Sequence, residues 1–186
     1  MRRFGLTVAR TDEAKIAYER EATLKIRKTM EKDLDEVMKI YADARDFMRE
    51  SGNPNQWFDV HPARAVVEND IKVGTSYVCE SENGIAAVFY YNIERDPTYT
   101  RIDGAWQNDD PYGVIHRIAR RKDATGAGAY CLNWAFEQCG NLRIDTHRDN
   151  IPMRGLVEKL GFRYCGIIWI ESGDERMAFQ KLKSKG

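Results

Sequence analysis

Val114-Ile-His-Arg-Ile-Ala-Arg120-Arg-Lys-Asp-Ala-Thr125-Gly-Ala-Gly128 is the stretch whose reading decides the rest. It begins as an apolar strand, passes through a short basic turn, and reaches two small glycines that open a helix. A helix start offers backbone N–H groups without partners and the positive end of the helix dipole. Glycine lets a ligand approach such groups closely. The stretch therefore predicts a cradle for a phosphate or pyrophosphate.

Working downstream, the spacing predicts a helix from about Gly126 to Cys139. It is apolar nearly all round (Ala127, Tyr130, Cys131, Leu132, Trp134, Ala135, Phe136), as a helix packed on more than one side is. Leu142–His147 alternates, placing Leu142, Ile144 and Thr146 on a core face and Arg143, Asp145 and His147 on a polar one. Asn150-Ile-Pro152 opens a short helix with Met153, Leu156, Val157 and Leu160 at i, i+3, i+4 and i+7, and Gly161 closes it. Strands follow over 162–170 and 176–182, separated by Ser172-Gly-Asp174.

Working upstream, Leu24–Thr29 alternates as a half-buried strand. Thr29 reads as the N-cap of a long amphipathic helix that ends at Ser51-Gly-Asn-Pro-Asn55. A second helix is expected over 63–72 with Val66, Val67 and Ile71 inward. Ser76–Glu80 and Ile85–Tyr91 read as a hairpin turned at Asn83-Gly84. Residues 94–112 form a long link carrying Tyr99, Trp106 and Tyr112; a link of this length is functional or partly strand-like. The expected architecture is α/β, a mixed and mostly antiparallel central sheet with helices on both faces.

The 186 residues suit one domain over 24–186, preceded by an extension over 1–23 read as a loosely attached tail. Formal net charge is zero, which argues against a partner held by a global basic field, so nucleic acid is not expected. No apolar run approaches the ~20 residues of a membrane span, and no secretory h-region stands at the start. Cys79, Cys131, Cys139 and Cys165 lie in apolar segments without a C-x-x-C pair, the pattern of reduced thiols in a cytoplasmic protein. His61, His116 and His147 are scattered, so no metal is expected. A nucleotide-binding P-loop or Rossmann motif is disfavoured, because no G-x-x-x-x-G-K-[ST] is present and Gly126-Ala-Gly128 lacks a third glycine.

Taken together, the strand–turn–helix at Val114–Cys139 and the segment Asn150-Ile-Pro-Met-Arg-Gly-Leu-Val-Glu-Lys-Leu-Gly161-Phe162 resemble the GNAT family of N-acetyltransferases. The second segment is similar to that family's Asn, helix, Leu-Gly-Phe signature, and the following strand carries a glycine, Gly166, as in the family. The resemblance spans about Leu24 to Leu182. It implies acetyl-CoA as co-substrate, with its pantetheine arm in the gap where the strand 114–120 splays from the next, near Ile118, Ala119 and Arg120. It further implies a pyrophosphate held by the N–H groups of Thr125, Gly126, Ala127, Gly128 and Ala129, compensating charge from Arg120, Arg121 and Lys122, and contact of Asn150 with the arm. Two positions depart from the family: Asp123 stands where Gln or Arg is usual, and Val157 stands where many members have a proton-donating Tyr, for which Tyr164 or a water is a candidate substitute unless the step needs no protein acid.

The implied reaction is direct attack of an amine on the thioester. It needs a base, a polarised carbonyl and orientation. His116 is the first candidate base; His147 with Asp145 is the second, and Asp145 is also a candidate for holding the ammonium. A backbone N–H near Ile118 would polarise the carbonyl. Trp57, Tyr91, Trp106 and Tyr112 (with Tyr90) are candidate walls of the acceptor site, against the competing reading that they are core aromatics. The expected function is acetyl transfer to a small-molecule or amino-acid-like amine, with a homodimer as one possible assembly; a non-catalytic CoA-binding sensor is the alternative.

Overall fold

The computed structural model describes residues 24–58 and 60–183. The extension 1–23 and the last residues of the expected domain, 184–186, lie outside the described residues. In chain order the elements are β1 (Lys25–Lys28), α1 (Leu34–Glu50), α2 (Arg64–Val73), β2 (Ser76–Ser81), β3 (Gly84–Ile93), β4 (Ile102–Gly104), β5 (Gly113–Arg120), α3 (Ala127–Cys139), β6 (Asn141–Thr146), α4 (Ile151–Lys159), β7 (Arg163–Trp169) and β8 (Glu175–Leu182). The strands form one sheet in the order β1-β2-β3-β5-β6-β8-β7-β4. Every pairing is antiparallel except β5 with β6. This is the mixed, mostly antiparallel sheet expected.

Alternation along the strands sorts the core into two layers. On one face α1 and α2 bury Val37, Ile40, Tyr41 and Val67 against Val78, Val88 and Ala119. On the other, α3 and α4 bury Cys131, Leu132, Ala135 and Val157 against Ala87, Phe89, Ile115, Leu142, Ile144 and Phe179. Truncating one of the fully buried residues here, Phe89 or Leu132, costs about 3–5 kcal/mol by the usual scale.

Local details differ from the sequence reading in three places. The entry to α1 is a 3-10 turn over Glu31–Asp33 capped at Met30, where the Asp33 carboxylate accepts the Met30 N–H at 2.8 Å. Thr29 is not the cap; its hydroxyl shares a 2.7 Å hydrogen bond with that of Ser76, tying β1 to β2. Val66 is exposed, and Val67 carries the inward contact of α2. The β2–β3 turn is Glu82-Asn83 between paired Ser81 and Gly84, one residue earlier than expected.

One close approach positions the site. Gly104 on β4 and Gly166 on β7 face each other with φ +131° and +143°. A Cβ on Gly104 would fall 2.2 Å from the Cys165 carbonyl oxygen, and one on Gly166 2.1 Å from that of Asp103. Only glycine fits at both positions. This crossing pins β4 to the sheet edge, and the link 94–112 is thereby folded back over β5, β6 and β8.

Candidate active site

β5 and β6 run in parallel and pair only at Gly113 with Leu142 and Val114 with Arg143. Beyond that point they separate. β5 continues along β3 to Arg120, and β6 continues along β8 to Thr146. Within β5 the register against β3 slips by one residue between the pairs Val88–Ala119 and Tyr90–His116, which marks a β-bulge. Arg117, inside the bulge, has φ +49°, a left-handed conformation uncommon for a residue with a side chain. Its guanidinium donates to Asp70 at 2.6 Å and lies 4.7 Å from the centre of the Tyr90 ring, which holds the bulge against α2.

His116 sits at the open side of this gap, between two carboxylates. Its Nε2 is 2.6 Å from Asp96 Oδ2, and its Nδ1 is 3.6 Å from Asp145 Oδ1. Burial works to push the Asp96 carboxyl up, but hydrogen bonds from His116 and Thr98 outweigh it and hold the carboxyl at about 2. Asp96 is therefore an ionised acceptor, and the proton of the bond lies on His116 Nε2. In the neutral ring Nδ1 is then an acceptor. At 3.6 Å it is too far from Asp145 for a hydrogen bond, and both atoms have lone pairs free to meet one incoming donor. Asp145 Oδ1 in turn accepts the Tyr99 hydroxyl at 2.8 Å. Complete burial, reinforced by the Asp145 charge, raises the Tyr99 phenol well above its ordinary range, so it stays protonated and donating.

The support beneath is aromatic and polar. The Tyr112 hydroxyl accepts the Asp96 N–H at 3.1 Å, and Trp106 Nε1 donates to the Tyr99 carbonyl at 3.0 Å. The Arg143 guanidinium lies against the Trp106 and Tyr112 rings, 4.1 and 3.8 Å from their centres, and donates to the Asn108 carbonyl. His147 lies outside this chain: its Nδ1 accepts the Asp149 N–H at 3.2 Å, and burial with the nearby positive charge of Arg176 lowers its pKa. Gln56 closes the far side. Its Oε1 accepts from Asn53, Thr146 and Asn150 at 2.9, 3.3 and 2.8 Å, joining the α1–α2 loop to the end of β6 and the start of α4.

The glycine turn after β5 is built on its own side chains. Arg121 donates to both Asp123 carboxylate oxygens, at 2.9 and 3.3 Å, and to the Asn83 carbonyl at 2.6 Å. Arg120 donates to the carbonyls of Arg121 and Lys122. The Thr125 N–H donates to the Asp123 carbonyl and the Ala127 N–H to that of Ala124. The N–H groups of Gly126, Gly128 and Ala129 meet no backbone acceptor among the described residues. Gly126 caps α3 at φ +90°, and a Cβ there would meet only open space. Its glycine is required by backbone conformation, and the space beside it is clear.

No family model matches the chain. No curated protein matches it in sequence. Among solved structures, an acetyltransferase of the GNAT family from Streptococcus agalactiae 2603 is 29% identical, the match covering 87% of this chain and 96% of that one with a TM-score of 0.79. The chain shares its fold with GNAT-family acetyltransferases. GNAT acetyltransferases from Listeria monocytogenes 4b F2365 and Bacillus cereus ATCC 10987 share the fold at 21% and 17% identity, covering 85% and 87% of this chain and 94% and 99% of theirs, with TM-scores of 0.62 and 0.58.

With the GNAT frame in place, the sequence candidates sort clearly. His116 and Asp145 come together; His147 stands apart, bound to Asp149. Asn150 is buried and caps α4, its Oδ1 accepting the Met153 N–H at 3.1 Å while its amide donates to Gln56. Ile118 is half-buried against the α3 layer, and the Ala119 side chain is buried toward α1. Val157 is fully buried, and Tyr164 is exposed beside Phe179, so neither brings a hydroxyl to the His116–Asp145 group. Tyr91 is a correction. It lies on the α3 face of the sheet against Trp134, whereas its neighbour Tyr90 lies beside His116. Trp106 and Tyr112 are on the His116 side, as supports of Tyr99 and Asp96. Trp57 is buried against Tyr41 with its other neighbour His61. The sequence reading gave no site role to Asp96, Arg117, Gln56 or Arg176, and named Tyr99 only as part of the 94–112 link. Asp96-Pro97 did carry a signal: an Asp before Pro whose carboxylate accepts the Thr98 N–H is a helix-cap pattern, and it fixes that carboxylate in place.

Proposed function

We propose that the chain is an N-acetyltransferase that uses acetyl-CoA and a small amine, and that His116 is its base. The observation that carries this reading is the opening of β5 from β6 after two pairs, with the Asp96–His116–Asp145–Tyr99 chain at its mouth. The residues present fit the cofactor: three N–H groups without backbone acceptors at the start of α3, clear space at Gly126, and a basic run whose one carboxylate, Asp123, is neutralised by Arg121. Bound acetyl-CoA supplies a thioester carbonyl for the amine to attack.

The residues divide the work. Gly126, Gly128 and Ala129 bind the pyrophosphate through backbone N–H groups, and Lys122 adds charge beside them. Asp145 orients the acceptor ammonium, itself held by the Tyr99 hydroxyl. His116 Nδ1 takes the proton that the ammonium must lose before a C–N bond can replace the C–S bond. Asp96 keeps the Nε2 proton in place and stabilises the charge that His116 gains. The thiolate departs without a tyrosine at the Val157 position.

The test is release of free thiol from acetyl-CoA over a panel of primary amines. Turnover that falls sharply in His116→Gln with acetyl-CoA KM unchanged supports the reading. A folded protein that binds CoA tightly and releases no thiol with any amine is a binding module, and overturns it.

A further inference from the structure

Two arginines are buried on the site face of the sheet, and they are treated differently. Arg143 is 3% exposed, stacked against the rings of Trp106 and Tyr112 and bonded to the Asn108 carbonyl. Arg176 is 5% exposed and has none of that cover. Its Nη1 donates to the Glu175 carbonyl at 2.9 Å and its Nη2 to the Gln56 carbonyl at 3.4 Å. Among the described residues no carboxylate lies within 4 Å of it and no ring stacks on it. Its sequence neighbour Glu175 is paired with Arg148 instead. Asp145 and Asp174 act on it only from beyond contact distance, and burial outweighs them; a guanidinium withdrawn from water with no carboxylate in contact is costly.

Its position gives the reason a meaning. The register Asp145–Ala178 and Thr146–Met177 puts Arg176 on the same face as Asp145, one diagonal step away, about 7–8 Å between Cα atoms by sheet geometry. The Gln56 carbonyl it touches belongs to the loop that also carries Trp57 and His61. Arg45 reaches the same loop, donating to the His61 carbonyl at 3.2 Å, again with no carboxylate partner among the described residues. Arg117, the third cation near His61, is neutralised by Asp70. The site thus presents an acceptor pair, His116 and Asp145, suited to an ammonium, and one step away a buried cation with no carboxylate in contact among the described residues.

We infer that the acceptor is a small amino acid with a free carboxylate, its amine between His116 Nδ1 and Asp145 and its carboxylate on Arg176. This rests on the transferase reading above and names its substrate class. Arg176 is the residue that separates amino acids from plain amines. Carboxylate and guanidinium meet by paired hydrogen bonds, which a neutral amide cannot reproduce.

The experiment compares each of several small L-amino acids with its own amide, reading thiol release at saturating acetyl-CoA. The expected result is a kcat/KM about 100-fold higher for the acid, since losing one partner of a buried charge pair has effects of that size. In Arg176→Met the acid-to-amide ratio collapses toward one, and in Arg176→Lys it is reduced but retained; thermal melts check that both are folded. Equal rates for acid and amide in the unaltered protein overturn this inference and leave the transferase standing. No thiol release from either member of any pair overturns the transferase reading, and this inference falls with it.

Discussion

On one side of the gap between β5 and β6, the segment from Arg120 to Ala129 offers backbone: N–H groups at a helix start, in a turn whose side chains bond to the turn itself. On the other side, the groups proposed to act are side chains drawn from separate segments: Gln56, Asp96, Tyr99, His116, Asp145 and Arg176. A contiguous turn can bind a phosphate wherever it is placed, because its donors travel with it. The acceptor side works only after the sheet, the α1–α2 loop and the 94–112 link have all come together. Cofactor binding should therefore tolerate changes on the acceptor side, while proton transfer should fail at any break in the His116 chain.

The largest expected effect is on that chain. Changing His116 to Gln should lower kcat by about 1000-fold, the middle of the usual range for a lost base, with little change in acetyl-CoA KM. A proportionate rise in KM would mean the two sides are not separable. Next, Asp96→Asn keeps the shape but permits the wrong histidine tautomer; a clear loss in kcat with acetyl-CoA KM unchanged is expected, smaller than that of His116→Gln because the imidazole itself remains. Full activity would remove Asp96 from its positioning role. On the cofactor side, Gly126→Val must strain a φ of +90° and fill the clear space beside the turn. Acetyl-CoA KM should rise about 10-fold or more, while the pH dependence of kcat stays the same; an unchanged KM in a folded variant would relocate the cradle.

The smallest effect is on stability. The Asp96 carboxyl, held at about 2, is depressed below its ordinary value. It therefore adds stability that is present above about pH 4 and is lost as pH falls toward 2, roughly 2 kcal/mol in all. Urea melts of the parent and Asp96→Asn proteins should show the variant losing less stability over that acid range. Parallel acid losses would mean Asp96 is not held by His116 in the folded state.

The same contrast explains what could be read in advance. The strand, turn and helix around Gly126 are contiguous, and their alternation and glycines declare them. So do the core faces of β6 and α4. Tyr90 and Tyr91 are adjacent aromatics, and period 2 says only that they point apart; which one faces His116 depends on which layer covers each face. Thr29 resembled a cap because its role with Ser76 is made across 47 residues. Asp96 and Tyr99 reach the site because Gly104 and Gly166 let β4 dock at the far edge of the sheet, a contact between two remote glycines with no local pattern. Arg176 looked like one more polar residue of a last strand; only the folded sheet sets it near Asp145 with no carboxylate in contact.

The central claim is that His116 removes the acceptor proton, and its most direct measurement is the pH dependence of kcat in the parent protein and His116→Gln, with a reactive amine. Without the base, the rate must follow the fraction of amine that is already neutral, which climbs toward the amine's own range near about pH 10. The deficit of His116→Gln should thus be greatest near neutral pH and shrink steadily as pH rises. A deficit that is constant across pH, or no deficit at all, would contradict the assignment.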